Sequence, residues 1–548
     1  MRRNILLIGL ALATAMPARA GTFAPKPIAP EYGVDVFTRS VARSMIGRDL
    51  FGSPYATVTI SNVDVYDRFP YVESRHFEVV SDPRWNRLVF GELGQGFDAW
   101  SGAGSTFGAL SGPRGLAVDE QDRLYVADAG NNRVLVFQAA SEYGHMKLTP
   151  LYSIDGLGGP YGVAYSDGGT PFQPGDDMLF IAETGRNRVS AWSLGATGAE
   201  KRSELGDLGS GPGRFAGPMA LTVGRKDGVN TSELYVADAH SRRIVHLRLD
   251  HGSLKWIGEA PIAADVVTSM DTDEWGNVYA AAPQQGVVRK FNPDLDPVAD
   301  LHGGLSQPRS VHIPFFTVHD HRDGSVARVG QPNALSIDQW SEAGGVRLWD
   351  LGVSVDGLSV AGGDEPTASF TLTDQASVTL DVVNAADGHV LVSRPVGTMG
   401  AGAQSITLVK DDLRWIASPT DLMLRISATS GYGNGVTATA QAPFHADGGG
   451  NVALPNQALL LGNWPNPARA FTRITFVLPQ AGADQVSLSI YDASGRKLRT
   501  YRQQFSAGLN QVVWDATSED GRPVKPGMYF YRLEAGKVSF THRMAVVR

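Results

Sequence analysis

The sequence predicts an all-β chain: a tandem of units the size of four-stranded propeller blades, then two antiparallel sandwich modules. Three observations predict it. A pattern typified by "LYVADAGNNRVLVF" at 124–137 returns through the first 350 residues, and a fixed-period recurrence is the mark of a repeat architecture. Gly at 63 and Pro at 31 supply the tight turns that many short strands need. Beyond residue 353 the repeats stop, and runs such as "ASVTLDVVNAADGHVLV" alternate apolar and polar residues at strand period.

The bulk numbers bound the rest. A chain of 548 residues has room for three or four domains of about 150 residues. Hydrophobic residues at 43% and charged residues at 19% suit a globular chain and not a disordered one. A net charge of −8 argues against nucleic acid as a general partner. No cysteine is present, which excludes disulfides, thiolate chemistry and Cys-ligated zinc.

The opening residues, "MRRNILLIGLALATAMPARA", carry Arg2 and Arg3, a short apolar core from Ile5 to Met16, and the small-residue cleavage pattern Ala18-Arg19-Ala20. Residues 1–20 are therefore expected to be a secretory signal peptide, too short to span a membrane. Its removal takes Arg2, Arg3 and Arg19 and leaves the mature chain near −11. No later apolar run reaches the length of a span, so the expectation is an exported bacterial protein, secreted or at the outer cell surface.

Six segments align: those starting at Glu78, Leu124, Leu179, Leu234, Val278 and Ala334, at intervals of about 45 or about 55 residues. The longer units carry polar inserts at 166–177 and 315–332, read as long hairpin loops. A second element precedes most copies: "GPRGLAVD" at 112–119, "GPYGVAYSD" at 159–167, "GPMALTV" at 217–223 and "QPRSVHI" at 307–313. Proline there ends the linker, because it fixes φ and cannot donate to a ladder. The segment 112–138 closely resembles an NHL repeat, with good copies at 159–194 and 217–250 and degenerate ones at 78–90, 262–292 and 307–350. That resemblance implies a six-bladed β-propeller over about 75–352. Residues 21–74 are then an N-terminal lead, whose strand-like run "YATVTISNVDVYD" is a candidate for closing the ring.

An acidic residue recurs in the turn at Asp82, Asp128, Glu183 and Asp238, and an arginine at Arg87, Arg133, Arg188 and Arg243. Catalysis needs a residue once per site and architecture needs it once per blade. These pairs are accordingly read as structural: the carboxylate takes backbone N–H bonds and the guanidinium forks onto it.

A propeller acts at a mouth of its channel, where loops from all blades converge. The residue after each Gly-Pro is a rim position: Arg114, Tyr161, Met219 and Arg309, with Val266 as a fifth. Two arginines and a tyrosine suit an anionic or sugar-like group through forked hydrogen bonds and ring stacking. In NHL-like amidating lyases this slot carries zinc-binding histidines, and no histidine occupies it here. His302, His312, His319 and His321 crowd into one repeat and form the alternative metal set, for zinc or calcium. No cofactor is otherwise expected, and no catalytic motif such as G-x-S-x-G or H-E-x-x-H occurs.

Residues 353–450 read as an Ig-like β-sandwich, and 451–548 as a second module opening with Trp464-Pro465-Asn466-Pro467. The second closely resembles the C-terminal sorting domains of type IX secretion substrates and the Ig-like domain of flagellar hook-capping proteins. It departs from the common form at Ala468-Arg469. The resemblance implies export or anchoring through sorting machinery. The two modules line up as duplicates of each other. The functional expectation is a propeller that binds or scaffolds a protein, peptide or glycan ligand. The alternatives are a metal-dependent propeller lyase or lactonase and a structural matrix protein.

Overall fold

The structure is a computed structural model that describes residues 34–35 and, with short gaps of which 409–421 and 445–456 are the longest, residues 53–547. It is all-β, and none of its described helices is long and apolar enough to cross a membrane.

Among the described residues, six sheets follow one another along the first part of the chain, antiparallel but for one parallel pairing in the first. Sheet I runs from its inner strand Thr57–Tyr66 through Tyr71–Asp82 and Arg87–Glu92 to Gly96–Trp100. Sheets II, III, IV and V have Pro113–Val118, Pro160–Ser166, Pro218–Lys226 and Ser269–Thr272 as inner strands. Sheet VI has Pro308–His312 inside, then Asn333–Asp338 and Gly345–Asp350. Each inner strand lies beside the next, and that of sheet VI lies beside that of sheet I, so the six form a closed circuit. The ring is fastened at its last sheet: Val34–Asp35 forms the outer strand and pairs with Leu348 and Arg347.

One boundary differs from the sequence reading. The first sheet begins at Thr57 and not near residue 75, because "YATVTISNVDVYD" forms its inner strand and leaves closure to Val34–Asp35. The repeat beginning at Glu78 is the middle of that sheet. The insert at 315–332 is a hairpin, Phe315–Asp320 with Ser325–Gly330, that joins sheet I by pairing in parallel with Thr57–Tyr66.

The core lies between neighbouring sheets. Alternating residues of the second strands, such as Leu124, Val126, Leu179, Ile181, Leu234 and Val236, are fully buried. A sheet buried on both faces needs apolar residues at every position, which is why "LYVA" and "LFIA" do not alternate.

The turn pairs behave as architecture. Asp128 accepts from the Ser111 backbone N–H at 2.7 Å and from Arg133 Nε at 2.8 Å. Asp82 takes Ser53 N–H and Arg87, Glu183 takes Gly158 N–H and Arg188, and Asp238 takes Ala216 N–H and Arg243. All four acidic residues are fully buried.

The two C-terminal modules share one topology. The first packs Val355–Ala361, Thr367–Leu372 and Gly402–Thr407 against a four-stranded sheet in the order Val390–Met399, Ala376–Asn384, Leu422–Ser430, Thr437–Phe444. The second repeats this with Leu459–Trp464, Thr472–Leu478 and Gly508–Trp514 against Lys497–Tyr501, Val486–Asp492, Gly527–Ala535 and Val538–Val546. The first module is tied to sheet V by an ion pair: Lys290 Nζ lies 3.0 Å from Asp374 and 3.7 Å from Asp273, all three buried.

Candidate functional site: the channel and its mouth

The mouth is built by a device repeated between sheets. Asn86, Asn132 and Asn187 end their turns in the left-handed region, with φ of 49°, 54° and 52°. Each side-chain oxygen accepts the backbone N–H of the next sheet's glycine: Gly112 at 2.7 Å, Gly159 at 2.9 Å and Gly217 at 2.9 Å. Those glycines have φ of 59°, 55° and 81°, a region that favours glycine. The proline that follows starts the inner strand without an N–H to satisfy. The next residue is thereby fixed as the second of the inner strand.

Arg114, Tyr161, Met219 and Arg309 each follow the proline that opens an inner strand and are half-buried; of the four, Tyr161 lines the channel cavity. Their backbone is held by the neighbouring sheet. Ser81 Oγ donates to the Arg114 carbonyl and Thr268 Oγ1 to the Arg309 carbonyl, both at 2.7 Å. Gly115 and Gly162 admit the carbonyls of Tyr161 and Met219 so closely that a β-carbon would fall 2.7 and 2.5 Å from the oxygens.

One mouth residue escaped the sequence reading. Tyr55 follows Pro54 and precedes the inner strand of sheet I, as Tyr161 follows Pro160 in sheet III. The signal was the Pro-X pair; Ser53 in place of glycine concealed it. Tyr55 is buried, meets Tyr161 edge-on at 5.5 Å, and donates from its hydroxyl to the Thr268 carbonyl at 3.2 Å. The Arg114 guanidinium lies 4.9 Å from the Tyr55 ring and 4.8 Å from the Tyr161 ring, a cation–π arrangement. Burial pushes the Tyr55 hydroxyl well above its usual range and the nearby Tyr161 adds to this, while Arg114 and Arg309 oppose it. Tyr55 therefore stays neutral and keeps its donor.

Behind the mouth is a channel cavity of about 130 Å³, whose polar lining includes Thr57, Thr59, Thr268 and Ser310. Arg225, Asp271 and His312 also line it. Asp271 accepts from His312 Nδ1 at 3.0 Å, Arg225 at 3.2 Å, and the backbone N–H groups of Thr272 and Ile313. Burial alone would raise its carboxyl, but Arg225 and His312 outweigh that and hold it below the usual range. The Arg225 guanidinium also lies 4.2 Å from the Phe315 ring. His312 Nε2 is buried with no hydrogen-bond partner.

Of the histidines considered for a metal, His302 and His321 lie outside the described residues. His319 stands in the hairpin opposite Asp64, and only its strand position is described. His312 is engaged by Asp271. Among the described residues no group of three or more His, Asp or Glu side chains is placed to hold a metal ion.

Comparison with known proteins agrees with this architecture. Residues 110–137 match the NHL repeat and residues 470–538 match the FlgD Ig-like domain. The chain carries an NHL-type propeller and a C-terminal FlgD-type Ig-like domain. No curated protein matches it. Solved structures similar to it include a catalytically inactive virginiamycin B lyase from Staphylococcus aureus with quinupristin. The two share 10% identity, the alignment covers 58% of this chain and 92% of that one, and the TM-score is 0.31. A streptogramin B lyase shares 12% identity over 59% and 91% of the two chains, with a TM-score of 0.32. Regucalcin, a calcium-binding protein from Agrobacterium tumefaciens, shares 12% over 55% and 93%, with a TM-score of 0.31.

Proposed function

We propose that this protein is an exported bacterial binding module. Its six sheets, counted as six blades, present a ligand mouth, and its C-terminal domain serves export or surface anchoring through type IX sorting machinery. The observation that carries the binding reading is the mouth itself: Arg114 between Tyr55 and Tyr161, with Arg309 on the neighbouring side. Cationic and aromatic groups converging at a concave channel entrance are what a specific ligand site requires. The export reading rests on the leader at 1–20 and on the resemblance of the C-terminal domain.

The binding test is a protein, peptide and glycan array probed with residues 21–548 and with a Tyr161→Ala/Arg114→Gln double variant. Loss of signal in the variant on the same spots supports the mouth, and equal signals refute it. For export, the chain truncated at 457 is expected to stay behind the outer membrane while the full chain leaves the cell. Equal distribution of the two would remove the sorting role.

A second reading is favoured by one observation. His312 is held by Asp271 and lines the channel with its Nε2 unbonded, and an imidazole oriented by a carboxylate is the arrangement that a general base requires. Turnover abolished by His312→Gln but kept in the rim variants would support an enzyme.

A further inference from the structure

Arg114 and Arg309 have no carboxylate partner among the described residues. Elsewhere in the propeller a half-buried or buried arginine meets a carboxylate: Arg133 on Asp128, Arg225 on Asp271 and Arg243 on Asp238. Arg114 and Arg309 are half-buried too, yet neither guanidinium has a hydrogen bond or an ion pair among the described residues. The Nε of Arg309 is buried without an acceptor. A guanidinium withdrawn from water and left unpaired is costly, and the mature chain has acidic residues in excess to supply partners.

The placement of the two is specific. The Arg114 guanidinium carbon lies over both the Tyr55 and the Tyr161 ring, and its N–H groups have no acceptor among the described residues. A guanidinium edge forks onto a carboxylate through two parallel bonds. The backbone of Arg309 is tied to the same tyrosine that Arg114 overlies. Arg114 overlies the Tyr55 ring, and the Tyr55 hydroxyl bonds Thr268, whose own hydroxyl holds the Arg309 carbonyl. The channel cavity of about 130 Å³ is lined by Tyr55 and Tyr161, the two rings that Arg114 meets.

We propose that the mouth binds a small organic diacid, one carboxylate on Arg114 and the other on Arg309, with the connecting carbons against Tyr161. This deepens the binding reading above and rests on it.

The test is calorimetric titration of residues 21–548 with succinate, glutarate and adipate, a series that also reads the spacing of the two arginines. Butyrate, dimethyl glutarate and inorganic phosphate are the controls. One diacid is expected to bind, with butyrate about ten-fold weaker or worse and the dimethyl ester inert. Arg114→Gln and Arg309→Gln are each expected to reduce that diacid to the affinity of butyrate, with unchanged thermal melting. Arg114→Lys, which keeps the charge and loses the fork, should fall between.

If the dimethyl ester binds as well as the diacid and Tyr161→Ala abolishes both, the mouth stands as the site and the diacid proposal falls. If phosphate equals the best diacid, a single-anion site replaces it. Failure of every diacid to bind, or binding indifferent to both arginine variants, overturns the proposal outright.

Discussion

Glu78 gives the sharpest test of the forces inside the ring. Its carboxyl is buried in sheet I, where only hydroxyls reach it: Thr59 Oγ1 donates at 2.9 Å, and no cation is among its influences. Burial pushes its pKa from 4.5 up to about 8, with Thr59 and Thr57 opposing weakly. Between those two values the folded chain keeps a proton that the unfolded chain has released. Stability therefore falls as pH rises, by about 1.4 kcal/mol per unit for one proton. From pH 4.5 to pH 7 that amounts to about 3 kcal/mol, and it levels off near 5 kcal/mol once pH passes the folded value. Glu78→Gln has nearly the same shape and carries no charge, and its amide can still meet the Thr59 and Thr57 hydroxyls. The variant is expected to match the wild type near pH 4.5 and to be more stable by about 3 kcal/mol at pH 7. The assay is urea unfolding of the propeller from pH 5 to 9, read as the difference between the two proteins, so that other titrating groups cancel. A difference that stays constant across that range would refute the argument, since Glu78 would then not be holding a proton.

Three further outcomes are expected. Asp128→Ala removes the acceptor of Ser111 N–H, Asn131 and Arg133 and should destabilise the propeller by about 3 kcal/mol; denaturant unfolding would measure it, and a loss below about 0.5 kcal/mol would contradict a structural role. Lys290→Met leaves Asp273 and Asp374 buried without their cation and should cost about 3–5 kcal/mol, appearing in calorimetry as separate melting of the propeller and the first Ig-like module. Removing residues 21–36 takes the closing strand Val34–Asp35 away and exposes the edge of Gly345–Asp350, so the truncated chain should lose about 1–2 kcal/mol and associate more readily, as light scattering would show.

The sequence by itself determined whatever depends on near neighbours along the chain. The repeating acid–arginine pair is five residues apart in its four copies, as in Asp128 with Arg133, so the ion pair is legible in one segment, whereas the backbone N–H that each carboxylate accepts lies 17 to 29 residues upstream. Pro after Gly sets the start of an inner strand by its own φ restriction, which is why Arg114, Tyr161, Met219 and Arg309 could be named from their neighbours alone. The duplication of the two C-terminal modules was likewise visible as alternation and turn spacing.

Tertiary structure decided what depends on which strand lies beside which. The hydrogen bond from Thr57 N–H to Ser310 spans 253 residues, and Tyr55 reaches Thr268 across 213; no local pattern carries such a pairing. His312 read as one of four clustered histidines, yet its partner is Asp271, 41 residues away on the adjacent inner strand. The closing strand was sought in the strongest alternating run, but the ring places that run innermost and uses Val34–Asp35 outside. Periodicity says that a segment is a strand and which face is apolar. Its order in the sheet follows from the neighbours against which those faces are buried, and these are fixed only when the ring closes.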